Sequence, residues 1–126
     1  MFIRNTPELL VADVDEEVRY YTEVQGLTLN GRVPEDTSQP AEWASVGAGD
    51  VGFMFERAAE PKAPGSVVFY IGVGDIAAAE RSLRERGACI VDGPNDTWYG
   101  MRELTVADPA GHRLVFNCPI AAPVKS

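Results

Sequence analysis

An α+β fold built from two copies of one strand–helix–three-strand unit (βαβββ) is what this sequence predicts, and two observations predict it. The first is an internal repeat. Val11-Ala12-Asp13-Val14 returns as Val73-Gly74-Asp75-Ile76, an offset of 75 − 13 = 62 residues, and Ala48-Gly49 returns as Ala110-Gly111, where 111 − 49 is again 62. A period of this size marks a duplicated supersecondary unit. The second is shared punctuation. Each Asp opens a helical stretch, each stretch closes at a glycine (Gly26 and Gly87), and each later glycine precedes an apolar strand, Gly52-Phe53-Met54-Phe55 and Leu114-Val115-Phe116.

The elements follow in order. Residues 7–12 read as the first strand. Asp13 is a good helix N-cap, with Glu16 three residues on completing a capping box. Val14, Val18, Tyr21 and Gln25 keep helical spacing until Gly26 ends the helix. Residues 27–33 form a strand, 34–40 a polar loop with two prolines, and 41–47 and 51–56 two further strands. The stretch 57–66, Arg-Ala-Ala-Glu-Pro-Lys-Ala-Pro-Gly-Ser, is the linker. Val67–Val73 alternates as a strand with Phe69, Ile71 and Val73 on one face. Asp75 caps a second helix lined by Ile76, Ala79 and Leu83, with Glu80–Arg84 and Arg81–Glu85 on its solvent side. Strands near 88–91, 101–107 and 112–117 complete the copy. Residues 92–97 read as a loop, Asp108-Pro109-Ala110-Gly111 as a turn, and the tail after Pro119 as loose. The expected organisation is one domain over 1–126, with module one at 5–56, the linker at 57–66 and module two at 67–119.

Composition narrows the function. A half of about 60 residues buries too little surface to be comfortable alone, so the halves should share a core or pair across a dimer. No run approaches the roughly 20 apolar residues of a membrane span, and Met1-Phe2-Ile3-Arg4-Asn5 shows no signal-peptide core. A formal charge of −8 argues against nucleic acid, which needs a basic patch, and suits a cationic ligand. Cys89 and Cys118, the only cysteines, read as reduced thiols of a cytoplasmic protein. No phosphate loop or Cys-x-x-Cys is present, and the Gly-x-Gly at 47–49 and 72–74 lacks the third glycine and helix context of a dinucleotide site.

The stretch Trp98-Tyr99-Gly100-Met101-Arg102-Glu103-Leu104-Thr105-Val106-Ala107-Asp108-Pro109-Ala110-Gly111-His112-Arg113-Leu114-Val115-Phe116 resembles the vicinal oxygen chelate superfamily. That superfamily holds glyoxalase I, the extradiol dioxygenases and the bleomycin resistance proteins. The Tyr-Gly…Asp-Pro-x-Gly-x-x-Leu-x-Phe pattern is most similar to the bleomycin-resistance-like branch, and Val-x-Asp, Tyr20-Tyr21 and Gly26-Leu27 match it near the N-terminus. The resemblance implies four-stranded mixed sheets curled into cups around a cavity, commonly in a homodimer. Strand alternation then places Leu9, Val11, Phe69, Ile71, Val73, Leu104, Val106, Leu114 and Phe116 under the helices. The opposite set, Glu8, Leu10, Phe53, Phe55, Tyr70, Glu103, Thr105, Arg113 and Val115, would line the cup.

Metal-using members of the superfamily place ligands seven residues before the Asp of Val-x-Asp and four after the turn glycine. By the resemblance these positions are Thr6, Phe53, Val68 and Val115. Such sites need His nitrogen or carboxylate oxygen, so neither a metal nor any other cofactor is expected. His112 reads as a solvated turn residue. Glu56, a lone carboxylate at a strand end, would become a ligand only in a shifted register.

The candidate ligand-binding set is Glu8, Trp43, Phe53, Phe55, Tyr70, Trp98, Tyr99, Met101, Glu103 and Arg113. The aromatics could stack a flat ring or hold a cation, while Glu8 and Glu103 beside Arg113 would orient it. No residue is assigned a catalytic role. Two functions stay open. One is a metal-independent small-molecule binder with its ligand in a cavity at the dimer. The other is a glyoxalase-family metal-dependent lyase, isomerase or dioxygenase.

Overall fold

The computed structural model describes residues 1–61, 64–65 and 67–120. The linker residues Lys62, Ala63 and Ser66, and the tail expected to be loose, from 121 on, lie outside the described residues. The chain divides into two compact units, Met1–Pro64 and Gly65–Ser126.

The first unit contains β1 (Glu8–Val11), α1 (Val14–Arg19) continued by a π-helical turn over Tyr20–Val24, β2 (Thr28–Val33), β3 (Trp43–Ala48) and β4 (Val51–Arg57). Its sheet runs β1-β4-β3-β2. β1 is parallel to β4, and the other pairs are antiparallel. Asp13 starts the helix as expected, its carboxylate accepting the Glu16 N–H at 3.1 Å. Gly26 takes the left-handed φ of 81° that ends it. The buried residues share one face: Leu9, Val11, Ala44, Val46, Phe53 and Phe55. Tyr21 packs on that face, its ring centroid 4.9 Å from Phe53 and 5.0 Å from Phe55. Closing such aromatic side chains away from water contributes ~1.5–3 kcal/mol each.

The second unit repeats the plan with β5 (Val68–Gly72), α2 (Ile76–Glu85), β6 (Cys89–Asp96), β7 (Met101–Ala107) and β8 (Arg113–Pro119), in the order β5-β8-β7-β6. Asp75 caps α2 by accepting the Ala78 N–H at 3.1 Å. Ile76 and Leu83 of α2, with Leu104, Val106, Leu114 and Phe116, are its buried residues on the helix side. Both units are therefore βαβββ modules, an α+β fold.

Two expectations are corrected. Residues 92–97 are strand rather than loop over 92–96: Asn95 pairs with Glu103 and Asp96 with Arg102. The Gly-Pro pair that signalled a loop sits instead in a bulge. Gly93 has φ 94°, and a Cβ there would lie 2.5 Å from the Glu103 carbonyl oxygen, so only glycine lets β6 follow β7 so closely.

The second correction concerns Phe53 and Phe55, expected on the cup face but buried on the helix face. The 62-residue offset does not persist. Asp13 to Gly26 spans 26 − 13 = 13 residues, whereas Asp75 to Gly87 spans 87 − 75 = 12. The extra residue coincides with the π-helical turn, which absorbs one residue without breaking the helix. The β7–β8 turn has a different length from the β3–β4 turn. Met54 lies beside Glu8 as Val115 lies beside Tyr70, so the last strands correspond at 115 − 54 = 61. A slip of one residue puts every side chain on the other face.

Candidate functional site

Each sheet has an open face away from its helix. In the first unit, strand register sets side-chain rows across it. Glu8, Met54, Ser45 and Gly31 form one row, and Leu10, Glu56, Trp43 and Val33 the next. Trp43 is half-buried because its ring lies across Gly31, where a Cβ would come within 3.2 Å of the indole. Of the candidate residues, Glu8 and Trp43 share this face, while Phe53 and Phe55 face the helix side and are closed off by Tyr21.

In the second unit, Tyr70, Val115 and Thr105 form one row, in which Tyr70 is exposed but Val115 is buried, with Asn117 and Glu103 in the row beyond. Val68, Arg113 and Ala107 flank it on the other side. Glu103 and Arg113, expected side by side, are thus separated by the Thr105–Val115 row. Glu103 is engaged elsewhere: the Tyr99 phenol donates to its Oε2 at 2.8 Å. That bond, first, and the carboxylate's charge hold the phenol above the ordinary tyrosine range, because both favour the protonated form. Trp98 meets Tyr99 edge-on, centroids 5.4 Å apart and planes at 89°.

The turn Thr97–Gly100 presents this aromatic pair. The Thr97 hydroxyl accepts the Met101 N–H at 3.0 Å, and Gly100 takes φ 84°. Trp98 is 94% exposed and Tyr70 59% exposed, an unusual state for large aromatic side chains. Tyr70, Trp98, Tyr99, Met101, Glu103 and Arg113 all belong to this unit. They stand on its open face or at its β6–β7 end.

His112 is not a solvated turn residue. Its ring Nδ1 lies 3.1 Å from Asp108 Oδ2, and its backbone N–H donates to Asp108 Oδ1 at 2.8 Å. Asp108 is only 4% exposed and ties down the β7–β8 turn. Sequence reasoning missed this buried carboxylate, although Asp-Pro-x-Gly-His carried the signal: an Asp whose side chain can reach back to the amide four residues on. Glu17 of α1, 1% exposed, was missed as well; in the sequence it looks like any acidic residue of a helix first turn.

The positions that hold metal in metal-using relatives do not fit an ion. Phe53 turns to the helix side. The slipped register puts Met54 opposite Glu8, and Gly52 lies beside Thr6, whose Cγ2 would be 3.8 Å from a Cβ there. Val68 and Val115 supply no lone pair. Thr6 and a thioether are a poor donor set for a divalent ion that needs imidazole or carboxylate.

Comparison with known proteins agrees with the fold. Residues 4–116 match the Glyoxalase/Bleomycin resistance protein/Dioxygenase superfamily. An uncharacterized protein of Mycolicibacterium smegmatis is 30% identical over 112 residues, covering 89% of this chain and 90% of its own. Among solved structures, TioX from Micromonospora sp. ML1 superposes with a TM-score of 0.80 at 26% identity, covering 94% of this chain and 100% of its own. TnmS3, an antibiotic binding protein from Streptomyces sp. CB03234, gives 0.74 at 25% identity, covering 94% and 97%. On the duplicated βαβββ fold and this match, the chain belongs to the Glyoxalase/Bleomycin resistance protein/Dioxygenase superfamily.

Proposed function

We propose that this protein binds an aromatic or cationic small molecule without a metal, on the open face of the second unit, and works as a cytoplasmic homodimer with the ligand in a cavity at the dimer. One observation carries the reading: Tyr70, Trp98 and Tyr99 are exposed on one unit together with Glu103 and Arg113. Exposed aromatics offer large flat contact area at low entropic cost, and Glu103 adds a negative group that favours a cation over an anion. The similarity to TnmS3, an antibiotic binding protein, supports small-molecule binding. The metal positions, filled by poor donors, support metal independence. Exposed Leu10 and Val33 in the first unit and Val68 in the second support association, since apolar strand faces and edges call for cover. Free Cys89 and Cys118 support a reducing compartment.

The test is fluorescence and thermal-shift titration with proflavine, a planar aromatic cation, and acridone, its neutral counterpart. Proflavine should bind and raise the melting temperature by mass action. Trp98→Ala should weaken it at least about fivefold with the melting point of the free protein unchanged. Chelator-treated protein should bind the probe as before. Equal affinity in Trp98→Ala, or binding that returns only with added Zn²⁺, Ni²⁺, Mn²⁺ or Fe²⁺, would defeat the reading. Sedimentation at micromolar concentration should give a dimer.

A further inference from the structure

We infer that the open face of the first unit carries a separate subsite for an uncharged, hydroxylated group, the vicinal diol of a polyol or sugar. A cavity of ≈ 320 Å³ opens at the end of this sheet where β3 turns into β4. Arg4, Thr6, Thr28, Asn30, Ser45 and Asp50 line it.

Its floor is bare backbone. Gly47 and Gly52 face each other across β3 and β4, and glycine within a strand marks a place of close approach. The polar side chains lean over that floor. Asn30 Nδ2 would lie 3.3 Å from a Cβ on Gly47, and Thr6 Oγ1 3.9 Å from one on Gly52. Any side chain at 47 would also press the Val51 carbonyl oxygen at 3.0 Å. The space over the floor exists because both positions are glycine.

The side-chain hydrogen bonds of this unit run elsewhere: Arg32 to Asp15, Arg57 to Glu42, Ser38 to Asp36 and Thr22 to the Val18 carbonyl. Among the described residues Thr6, Thr28, Asn30 and Ser45 take part in no side-chain hydrogen bond, so their donors and acceptors are available to a ligand. That set selects a chemistry. Three hydroxyls and an amide each offer both a donor and an acceptor, and a diol offers the same in return. Among the described residues, the lining holds one guanidinium and one carboxylate and no aromatic ring, so no excess charge there selects an ion. None of these described residues favours a flat ligand, in contrast to the aromatics of the second unit.

The experiment is a heteronuclear NMR titration of the full chain with myo-inositol and methyl α-glucopyranoside, against sodium acetate and inorganic phosphate at matched ionic strength. The polyols should move the Gly47, Gly49 and Gly52 amides saturably and leave the Trp98 indole resonance in place, so the outcome is independent of the proposed aromatic site. Thr6→Val keeps the side-chain shape and removes only the hydroxyl; Asn30→Ala removes the amide. Each should weaken polyol binding about three- to tenfold, the worth of one lost hydrogen bond, with the remaining spectrum unchanged. Ser45→Ala serves if either variant misfolds. Acetate or phosphate moving these amides while the polyols do not would overturn the proposal in favour of an anion site. No movement with any probe, or wild-type affinity in folded variants, would overturn it outright.

Discussion

Arg32→Met is the substitution whose cost the structure fixes best. The Arg32 side chain is 10% exposed. Its Nε and Nη2 donate to the two Asp15 oxygens at 3.0 and 3.2 Å. Nη2 also donates to the Gln39 carbonyl at 2.6 Å, and Nη1 to the carbonyls of Asp36 at 3.1 Å and Pro34. One guanidinium therefore ties α1, β2 and the 34–40 loop together, while Asp15 also accepts the Ala41 N–H at 3.0 Å. Methionine keeps most of the aliphatic stem, so the loss is chiefly polar. A buried charge-assisted bond is worth ~1.5–3 kcal/mol, but Asp15 is 38% exposed and water replaces part of the loss. The freed loop carbonyls also return to water. A net cost of ~2 kcal/mol follows, read as a fall of roughly 6–8 °C in melting temperature for a chain this size.

The pH dependence has a definite sign. The hydrogen bond from Arg32, first, and its charge hold the Asp15 carboxyl below the usual value, outweighing the opposing effect of burial. A depressed folded value gives stability that is present above the unfolded value of about 3.9 and is lost as pH falls through the folded one. Urea denaturation should show the full gap between wild type and Arg32→Met at neutral pH, closing as pH drops below ~4. A gap under ~0.5 kcal/mol at neutral pH, or one unchanged in acid, would refute the reasoning.

Three further outcomes follow from the same geometry. Phe55→Ala, at a fully closed site against Tyr21, should cost ~3–5 kcal/mol by denaturant unfolding, whereas exposed Trp98→Ala should stay within about 0.5 kcal/mol; reversed magnitudes would return Phe55 to the open face. Glu103→Gln should lower the titration of the Tyr99 phenol toward the ordinary tyrosine range, followed through its own ring resonances in an NMR pH titration, because it removes the carboxylate that holds the proton; an unchanged Tyr99 curve counts against that bond. Dialysis of chelator-treated protein against Zn²⁺, Ni²⁺, Mn²⁺ or Fe²⁺ should leave no stoichiometric metal, and retention lost on His112→Ala or Glu56→Ala would move the enzymatic reading to first place.

The duplicated architecture was legible because its signals are local. Asp13 and Asp75 are caps whose carboxylates reach an amide three residues on, and Gly26 and Gly87 take a φ that other residues avoid. Such signals need no knowledge of the rest of the chain. The second unit's open face was legible for a similar reason: in β5, β7 and β8 simple alternation assigns Tyr70, Glu103, Thr105 and Arg113 to one side. What failed was the count that carried the 62-residue offset into the last strand of the first module. The extra residue in the first helix and the unequal hairpin turns leave no mark in composition, yet they shift the register by one and carry Phe53 and Phe55 to the opposite face. The partners of Glu103 and His112 were likewise beyond reach. Alternation gives the side of a sheet on which a side chain stands, but not which row it shares.

By itself, then, the sequence determined the repeat, the caps, the stops and the family, all carried by short-range backbone chemistry. Tertiary structure alone decided which aromatics are core and which are free to meet a ligand. It also decided that Asp108 turns inward to hold His112, and that Gly47 and Gly52 meet to leave a bare floor beneath Thr6 and Asn30. Those facts belong to the pairing of strands far apart in the chain, where packing chooses between registers that local propensity cannot tell apart.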